Sequence, residues 1–127
     1  MTTPTLPLTK GAEYLRLLDA KDEAAIHHLL TEDAQLVDEV TRQWVRGRDA
    51  IGAVLRELFT RLSDVHSTAE DVHIGRWGDV EVETFVLRQV YDLDDATCWV
   101  VSPTTLVWRR TADQWRLALI ESIPTSG

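Results

Sequence analysis

The chain has 127 residues, of which 44% are apolar and 27% are charged. This length and composition predict one globular domain and exclude both a disordered chain and two independent domains. The formal net charge is -8 and the basic residues are scattered. We therefore expect no nucleic acid or anionic membrane surface as a partner.

The single cysteine, Cys98, excludes an internal disulfide framework and is interpreted as a small core residue. The N-terminal segment lacks the basic region and apolar run of a signal peptide, and no run of about 18 apolar residues occurs. The predicted location is cytoplasmic. Residues 1–8 are predicted to be a flexible arm, 9–124 a single domain and 125–127 a tail.

Three helices are predicted in the first half of the chain. Thr9 can cap the first, and its inward stripe contains Gly11, Tyr14, Leu15 and Leu18. Asp22 can cap a second, short helix, in which Ile26, Leu29 and Leu30 share one face. The third helix follows "WVRG", which is predicted to form a short strand. Its apolar residues repeat at helical spacing: Ile51, Val54, Leu55, Leu58, Phe59 and Leu62.

Strands are predicted elsewhere. "AQLVDEV" alternates, so Ala34, Leu36 and Asp38 share one face and Glu39 belongs to the other. Beyond Asp64, four β-branched and aromatic runs are separated by turns. The order of elements predicts an α+β fold, in which helices cover one face of a strongly curved, mostly antiparallel sheet.

In this order, "YLRLLDAKDEAAIHHLLTEDAQLVDEV", "WVRGRDAIGAVLREL" and "TTLVWRRTADQWRLALIES" resemble the NTF2-like superfamily, which includes ketosteroid isomerases and SnoaL-like polyketide cyclases. The resemblance implies a cone with an internal apolar pocket, a small apolar ligand and a homodimer formed through the outer sheet face. It also implies that no cofactor is needed.

Ketosteroid isomerases carry an oxyanion-binding tyrosine in the first helix and a general-base aspartate in the first strand. Tyr14 and Asp38 match these positions, so the resemblance implies that Asp38 moves a proton while Tyr14 binds the oxyanion. The alternatives are that Asp38 begins a solvated loop and that Tyr14 is a core aromatic residue. Thr105 matches the position of a second oxyanion donor, which is an aspartic acid in those enzymes.

Further candidate binding residues are Glu121, Arg88 and Trp44. Glu121 is in phase with an apolar strand face, and the resemblance to SnoaL-like cyclases, which carry an acid or base late in the sheet, implies that role for it. The alternative is a solvated charge at a strand end. Arg88 either binds a substrate carboxylate, pairs with Glu121 or extends from the sheet edge into water. Trp44 is one of five tryptophans that either line a pocket or form core and dimer surfaces. The four histidines are not spaced as metal ligands, so no metal is predicted.

Two functions remain open at this point. The first is cofactor-independent proton transfer, as in an isomerase or cyclase, on a polycyclic or aromatic ketone. The second is a non-catalytic ligand-binding or dimerisation domain that has the same fold.

Overall fold

The computed structural model describes residues 9–125, so the predicted arm at residues 1–8 and the last two residues of the tail lie outside the described part. The helices are α1 (Lys10–Asp19), α2 (Glu23–Leu29) and α3 (Arg48–Phe59). The strands are β1 (Leu30–Val37), β2 (Val45–Arg46), β3 (Leu62–Trp77), β4 (Val80–Leu93), β5 (Ala96–Thr111) and β6 (Gln114–Ser122).

The six strands form one curved sheet in the order β2-β1-β6-β5-β4-β3. All neighbouring pairs are antiparallel except β1 and β6, which are parallel. The hairpins close through two-residue turns, and Asp94, Asp95, Ala112 and Asp113 adopt the positive φ that such tight turns need. The predicted α+β fold is confirmed.

Two bulges interrupt the pairing of β3 with β4. The register shifts between Ser63 and His66 and again between Glu70 and His73. Asp64 and Asp71 lie at these points and have positive φ. Because a bulge bends and twists its strand, these two shifts curve the sheet at the β3 edge.

The hydrophobic core lies between the concave face of the sheet and the helices. Its fully enclosed members include Ile26 from α2, Ile51 from α3 and Leu106, Trp108 and Leu117 from the sheet. A second, smaller cluster joins the end of α3 to the sheet at Tyr91. Burial of these apolar side chains is the main source of stability for a domain of this size.

Element boundaries differ from prediction at the ends of α2, α3 and β1, and β1 ends at Val37, before the last three residues of the predicted strand. Leu30 begins β1 rather than extending α2, and Leu62 begins β3 rather than extending α3. Both are apolar and match the helical period, which does not distinguish the last turn of a helix from the first residue of a buried strand. No helix within residues 9–125 is long and apolar enough to cross a membrane.

Candidate functional site

Tyr14 enters the site from α1. Thr9 caps this helix, since its Oγ1 accepts a hydrogen bond of 3.0 Å from the Ala12 N–H. Gly11, Tyr14 and Leu15 then point into the core, and Tyr14 is only 5% exposed. Of the four residues predicted on the inward stripe these three are buried, whereas Leu18 is half-buried and Leu17 is buried in addition. Tyr14 thus reaches the interior from the helix side.

Asp38 enters from the end of β1. The strand stops at Val37, and residues 39–41 form a turn. Asp38 Oδ1 accepts hydrogen bonds from the backbone N–H groups of Val40, at 3.0 Å, and Thr41, at 2.9 Å. Asp38 is half-buried, so it begins the loop, as one alternative proposed, without being fully solvated.

Two small cavities of about 50 Å³ and about 40 Å³ lie where α1, β1 and β4 meet. Tyr14 and Asp38 line both of them. The larger cavity is closed mainly by apolar side chains of α3 and β3, and the smaller one extends toward β5 and β6. The helix tyrosine and the strand-end aspartate therefore face the same two adjoining cavities.

Glu39 lines the same two cavities, although its sequence position predicted the opposite face. Alternation between faces holds only within a strand, and β1 has already ended at Val37. Glu39 Oε1 accepts a long hydrogen bond of 3.4 Å from the Tyr91 hydroxyl. The acidic pair "DE" directly after a strand was the only sequence signal for this residue.

The surroundings of the site raise the pKa values of both Tyr14 and Glu39. Burial, and then the neighbouring Asp38 and Glu39, raise the pKa of Tyr14 above its ordinary value. Burial, followed by Asp38, raises the pKa of Glu39. Tyr14 therefore keeps its proton at neutral pH and can donate a hydrogen bond to an oxyanion. Glu39 is a stronger base than a solvated carboxylate.

Three buried hydroxyls lie beside the smaller cavity. Ser122 Oγ is 2.9 Å from Ser102 Oγ and 3.0 Å from Thr104 Oγ1, and Thr104 also donates to the Ser102 carbonyl at 3.1 Å. Thr104 and Ser122 line the cavity. These two neutral hydroxyls can form hydrogen bonds in the smaller cavity, and they do not line the larger, more apolar cavity.

The placement of Thr105 corrects the predicted second oxyanion donor. Thr104 is buried and faces the cavity, whereas Thr105 is half-buried, does not line either cavity and pairs with Glu121 in the sheet. Successive strand residues point to opposite faces, so a matching error of one residue reverses the direction of the side chain.

Glu121 also lies outside the two cavities. The sequence placed it in phase with Leu117 and Leu119, but the β5–β6 register shifts, with Val107 opposite Leu119 and Trp108 opposite Leu117. This bulge leaves Leu117, Ile120 and Ser122 buried. The extra residue changes the phase of the strand, so Ser122 takes the inward direction expected of Glu121.

Arg88 and Trp44 are likewise remote from the cavities. Arg88 is exposed, and its Nε donates to Glu70 Oε2 at 2.8 Å, so its carboxylate partner is Glu70 rather than Glu121. Trp44 is 40% exposed, and the Arg46 guanidinium lies 5.8 Å from the centre of its ring. Both residues belong to the outer surface of the fold.

Two of the four histidines each contact a single carboxylate. His27 Nε2 is 2.9 Å from Asp49 Oδ1, and His73 Nε2 is 3.0 Å from Asp71 Oδ1. Across residues 9–125, no three histidine, cysteine, aspartate or glutamate side chains group as metal ligands do. The polar groups that line the two cavities are carboxylates, hydroxyls and the Gln89 amide.

Comparison with solved structures identifies the class of fold. A candidate dehydratase of the NTF2-like family from Streptomyces avermitilis is similar, with a TM-score of 0.82, 16% identity and coverage of 92% of this chain and 91% of that one. A ketosteroid isomerase-like protein from Erwinia carotovora atroseptica has a TM-score of 0.76, 17% identity and coverage of 90% and 89%. At such identities these likenesses establish the NTF2-like fold.

A third solved structure, a candidate scytalone dehydratase from Novosphingobium aromaticivorans, has a TM-score of 0.80, 15% identity and coverage of 90% and 78%. The model of the SnoaL-like domain family matches residues 12–117. The chain therefore belongs to the SnoaL-like domain family, and the predicted NTF2-like resemblance is confirmed. No curated protein sequence matches the chain.

Proposed function

We propose that this protein is a cofactor-independent enzyme that moves a proton next to the carbonyl group of a small ketone, as an isomerase, cyclase or dehydratase does. The observation that carries the proposal is that Tyr14, Asp38 and Glu39 all line the same two adjoining cavities. A buried donor and a carboxylate base on opposite sides of a carbonyl compound are the two groups that enolisation needs.

The Tyr14 hydroxyl would donate to the carbonyl oxygen as it gains charge, with Ser122 as a second donor, because the single hydroxyl hydrogen of Thr104 is donated to the Ser102 carbonyl. In a poorly hydrated site, one such donor contributes about 100-fold to about 1,000-fold in rate. The carboxylates after β1 supply the base. Asp38 is the one that the family resemblance implies.

Cavity size limits the ligand. Neither cavity approaches the roughly 150 Å³ that holds a benzene molecule, or the several hundred Å³ of a typical drug-sized site. The two cavities adjoin, since Tyr14, Leu18, Asp38, Glu39 and Gln89 line both. We propose that movement of the Leu18 and Gln89 side chains joins and widens them around a ligand. A ketone with a single ring or an open chain is therefore the proposed substrate, in place of the polycyclic one.

The test is exchange of the α-protons of cyclopentanone and cyclohexanone for deuterium in D₂O, followed by proton NMR. We expect exchange above the buffer rate in the wild type and a loss of about 100-fold or more in Tyr14→Phe. The double variant Asp38→Asn/Glu39→Gln should exchange at the buffer rate. Glu70→Gln is the matched control, since this carboxylate contacts Arg88 on the outer surface.

Binding of phenol and 4-nitrophenol, monitored by tryptophan fluorescence, provides a second measurement, because a phenolate resembles the oxyanion. Affinity should fall in Tyr14→Phe and rise when Asp38 is replaced by neutral Asn. Exchange at the wild-type rate in the double carboxylate variant would contradict the proposal.

The alternative function is that of a non-catalytic dimerisation domain, and the outer sheet face favours it. Trp99 is 80% exposed there and Val101 38%, and both line a groove of about 280 Å³. We propose a second copy of the chain as the occupant, since a face with a tryptophan this exposed is typical of an interface. Dimerisation is compatible with catalysis. The cytoplasmic location remains a prediction.

A further inference from the structure

We infer that Glu39, rather than Asp38, exchanges the proton in the cavity, and that Asp38 is a positioning residue that holds the turn carrying Glu39. This inference rests on the proposed function. It differs from the assignment implied by the family resemblance, and it depends on the different hydrogen bonds of two adjacent carboxylates.

Asp38 is committed to the turn. Its Oδ1 accepts from the backbone N–H groups of Val40 and Thr41, its own N–H donates to Thr41 Oγ1 at 3.0 Å, and its carbonyl accepts from the Arg42 N–H at 2.9 Å. Both bonds fall on the same oxygen, so rotation of the side chain toward a substrate would leave two N–H groups without their acceptor. The geometry favours a structural role.

Glu39 is held much more loosely. Its carboxylate has one side-chain contact, the 3.4 Å hydrogen bond from the Tyr91 hydroxyl, which is long for an O–H···O bond. Its side chain has one more rotatable bond than that of Asp38, so it can approach a substrate without disturbing the turn. Tyr91 itself is buried and packs in the apolar cluster at the end of α3, so the donor is fixed while the acceptor can move.

The groups facing the Glu39 carboxylate come from three elements. Tyr14 lies on α1, Tyr91 on β4 and Asp38 in the same turn, and the Arg42 side chain contacts only the Glu39 carbonyl, at 3.1 Å. Burial and the Asp38 charge raise the pKa of Glu39, while the hydrogen bond from its own backbone N–H and then that from Tyr91 partly oppose them. No cation in the described part of the chain neutralises this carboxylate in the cavity.

The step balances without a cofactor. A Glu39 carboxylate oxygen takes the α-proton as the C–H bond breaks, and the electron pair of that bond forms the enolate double bond. The carbonyl π electrons move to the oxygen, which Tyr14 stabilises by donating a hydrogen bond. Return of a proton, or of a deuteron after exchange with D₂O, reforms the C–H bond and restores the Glu39 carboxylate.

Activity distinguishes the two carboxylates. In the ketone exchange assay, Glu39→Gln should lose about 100-fold or more, whereas Asp38→Asn, whose amide oxygen still accepts the turn hydrogen bonds, should lose less than about 10-fold. Over the range from about pH 4 to about pH 9, the wild-type rate should rise as Glu39 loses its proton. Tyr91→Phe should move this rise to higher pH, because the hydrogen bond that lowers the pKa of Glu39 is lost.

Loss of exchange in Asp38→Asn with full exchange in Glu39→Gln would overturn the inference and leave the proposed function intact. Absence of exchange with every ketone in the wild type would refute the proposed function. Circular dichroism of each variant establishes that it has folded.

A ligand-free measurement tests the assignment independently of any substrate. Carbon-13 NMR titration of the labelled protein should show Glu39 losing its proton at a higher pH than an ordinary glutamate, and at a still higher pH in Tyr91→Phe. Titration of Glu39 at its ordinary value, unchanged in Tyr91→Phe, would overturn the inference.

Discussion

Gly11 shows how one residue determines where α1, and with it Tyr14, lies on the sheet. Its N–H donates to Glu83 Oε1 at 2.9 Å, and Glu83 is only 1% exposed. A Cβ atom at this position would lie 2.6 Å from Glu83 Oε2, closer than such atoms approach each other. The missing side chain therefore allows the first turn of the helix to hydrogen-bond a buried carboxylate, which the partial positive charge of a helix N-terminus favours.

Gly11→Ala should lower the free energy of unfolding by about 1–3 kcal/mol, because the added methyl group displaces the buried carboxylate. The measurement is urea unfolding followed by circular dichroism. In the Glu83→Ala background the same substitution should be neutral or stabilising. A gain in stability from Gly11→Ala alone, which helix propensity by itself would give, would contradict this account.

At the scale of elements, Glu81 of β4 joins α1 to the β3–β4 hairpin. Its side chain is 4% exposed and accepts from Lys10 Nζ at 3.0 Å and Arg76 Nη2 at 2.8 Å. Both cations also lie over the Trp115 ring, at 4.7 Å and 5.0 Å from its centre. Burial alone would raise the pKa of Glu81, but the hydrogen bonds from Arg76 and Lys10 outweigh it and lower the pKa.

Glu81→Gln should reduce the free energy of unfolding at pH 7 by about 1–3 kcal/mol, the usual contribution of hydrogen bonds to a charged group. Because the folded pKa is lowered, this contribution is present above the ordinary glutamate pKa and is lost as the pH falls through the folded pKa. Urea unfolding over an acid-to-neutral series should show the two proteins converging in acid.

The exposed pair Glu70–Arg88 provides the matched control, and Glu70→Gln should change stability by less than about 1 kcal/mol. A difference between Glu81→Gln and the wild type that is the same at every pH would show that the charge of Glu81 contributes nothing.

At the scale of the whole molecule, the sheet has two unlike faces. The concave face carries the core and the cavities, whereas the outer face exposes Trp99 and Val101 beside Thr68 and Arg88. Each copy has a formal net charge of -8, so association depends on a surface where apolar area outweighs like-charge repulsion. Arg88 and Glu70 neutralise each other beside this groove.

Trp99→Glu should convert the proposed dimer into a monomer without unfolding it, because the side chain is 80% exposed and contributes little to the core. Light scattering coupled to size-exclusion chromatography measures the mass. Trp44→Glu, at an exposed tryptophan beside Arg46, is the matched control and should leave the mass unchanged. A wild-type protein that is monomeric at every concentration would refute the dimer.

The sequence by itself determined the kinds of element and their order, because the spacing of apolar residues in helices and strands depends only on local geometry. It also placed Tyr14 on the inward face of α1. Tertiary structure alone decided which polar residues face the cavities. Because β1 ends at Val37, Glu39 faces the cavities. The bulge in β6 places Ser122, and not Glu121, on the inward face of the sheet.

The sequence pattern cannot predict which of these strand residues face the cavities, and the reason is physical. Each side chain on a strand reverses its direction when the register changes by one residue, and the register is set by pairing with strands distant in the chain.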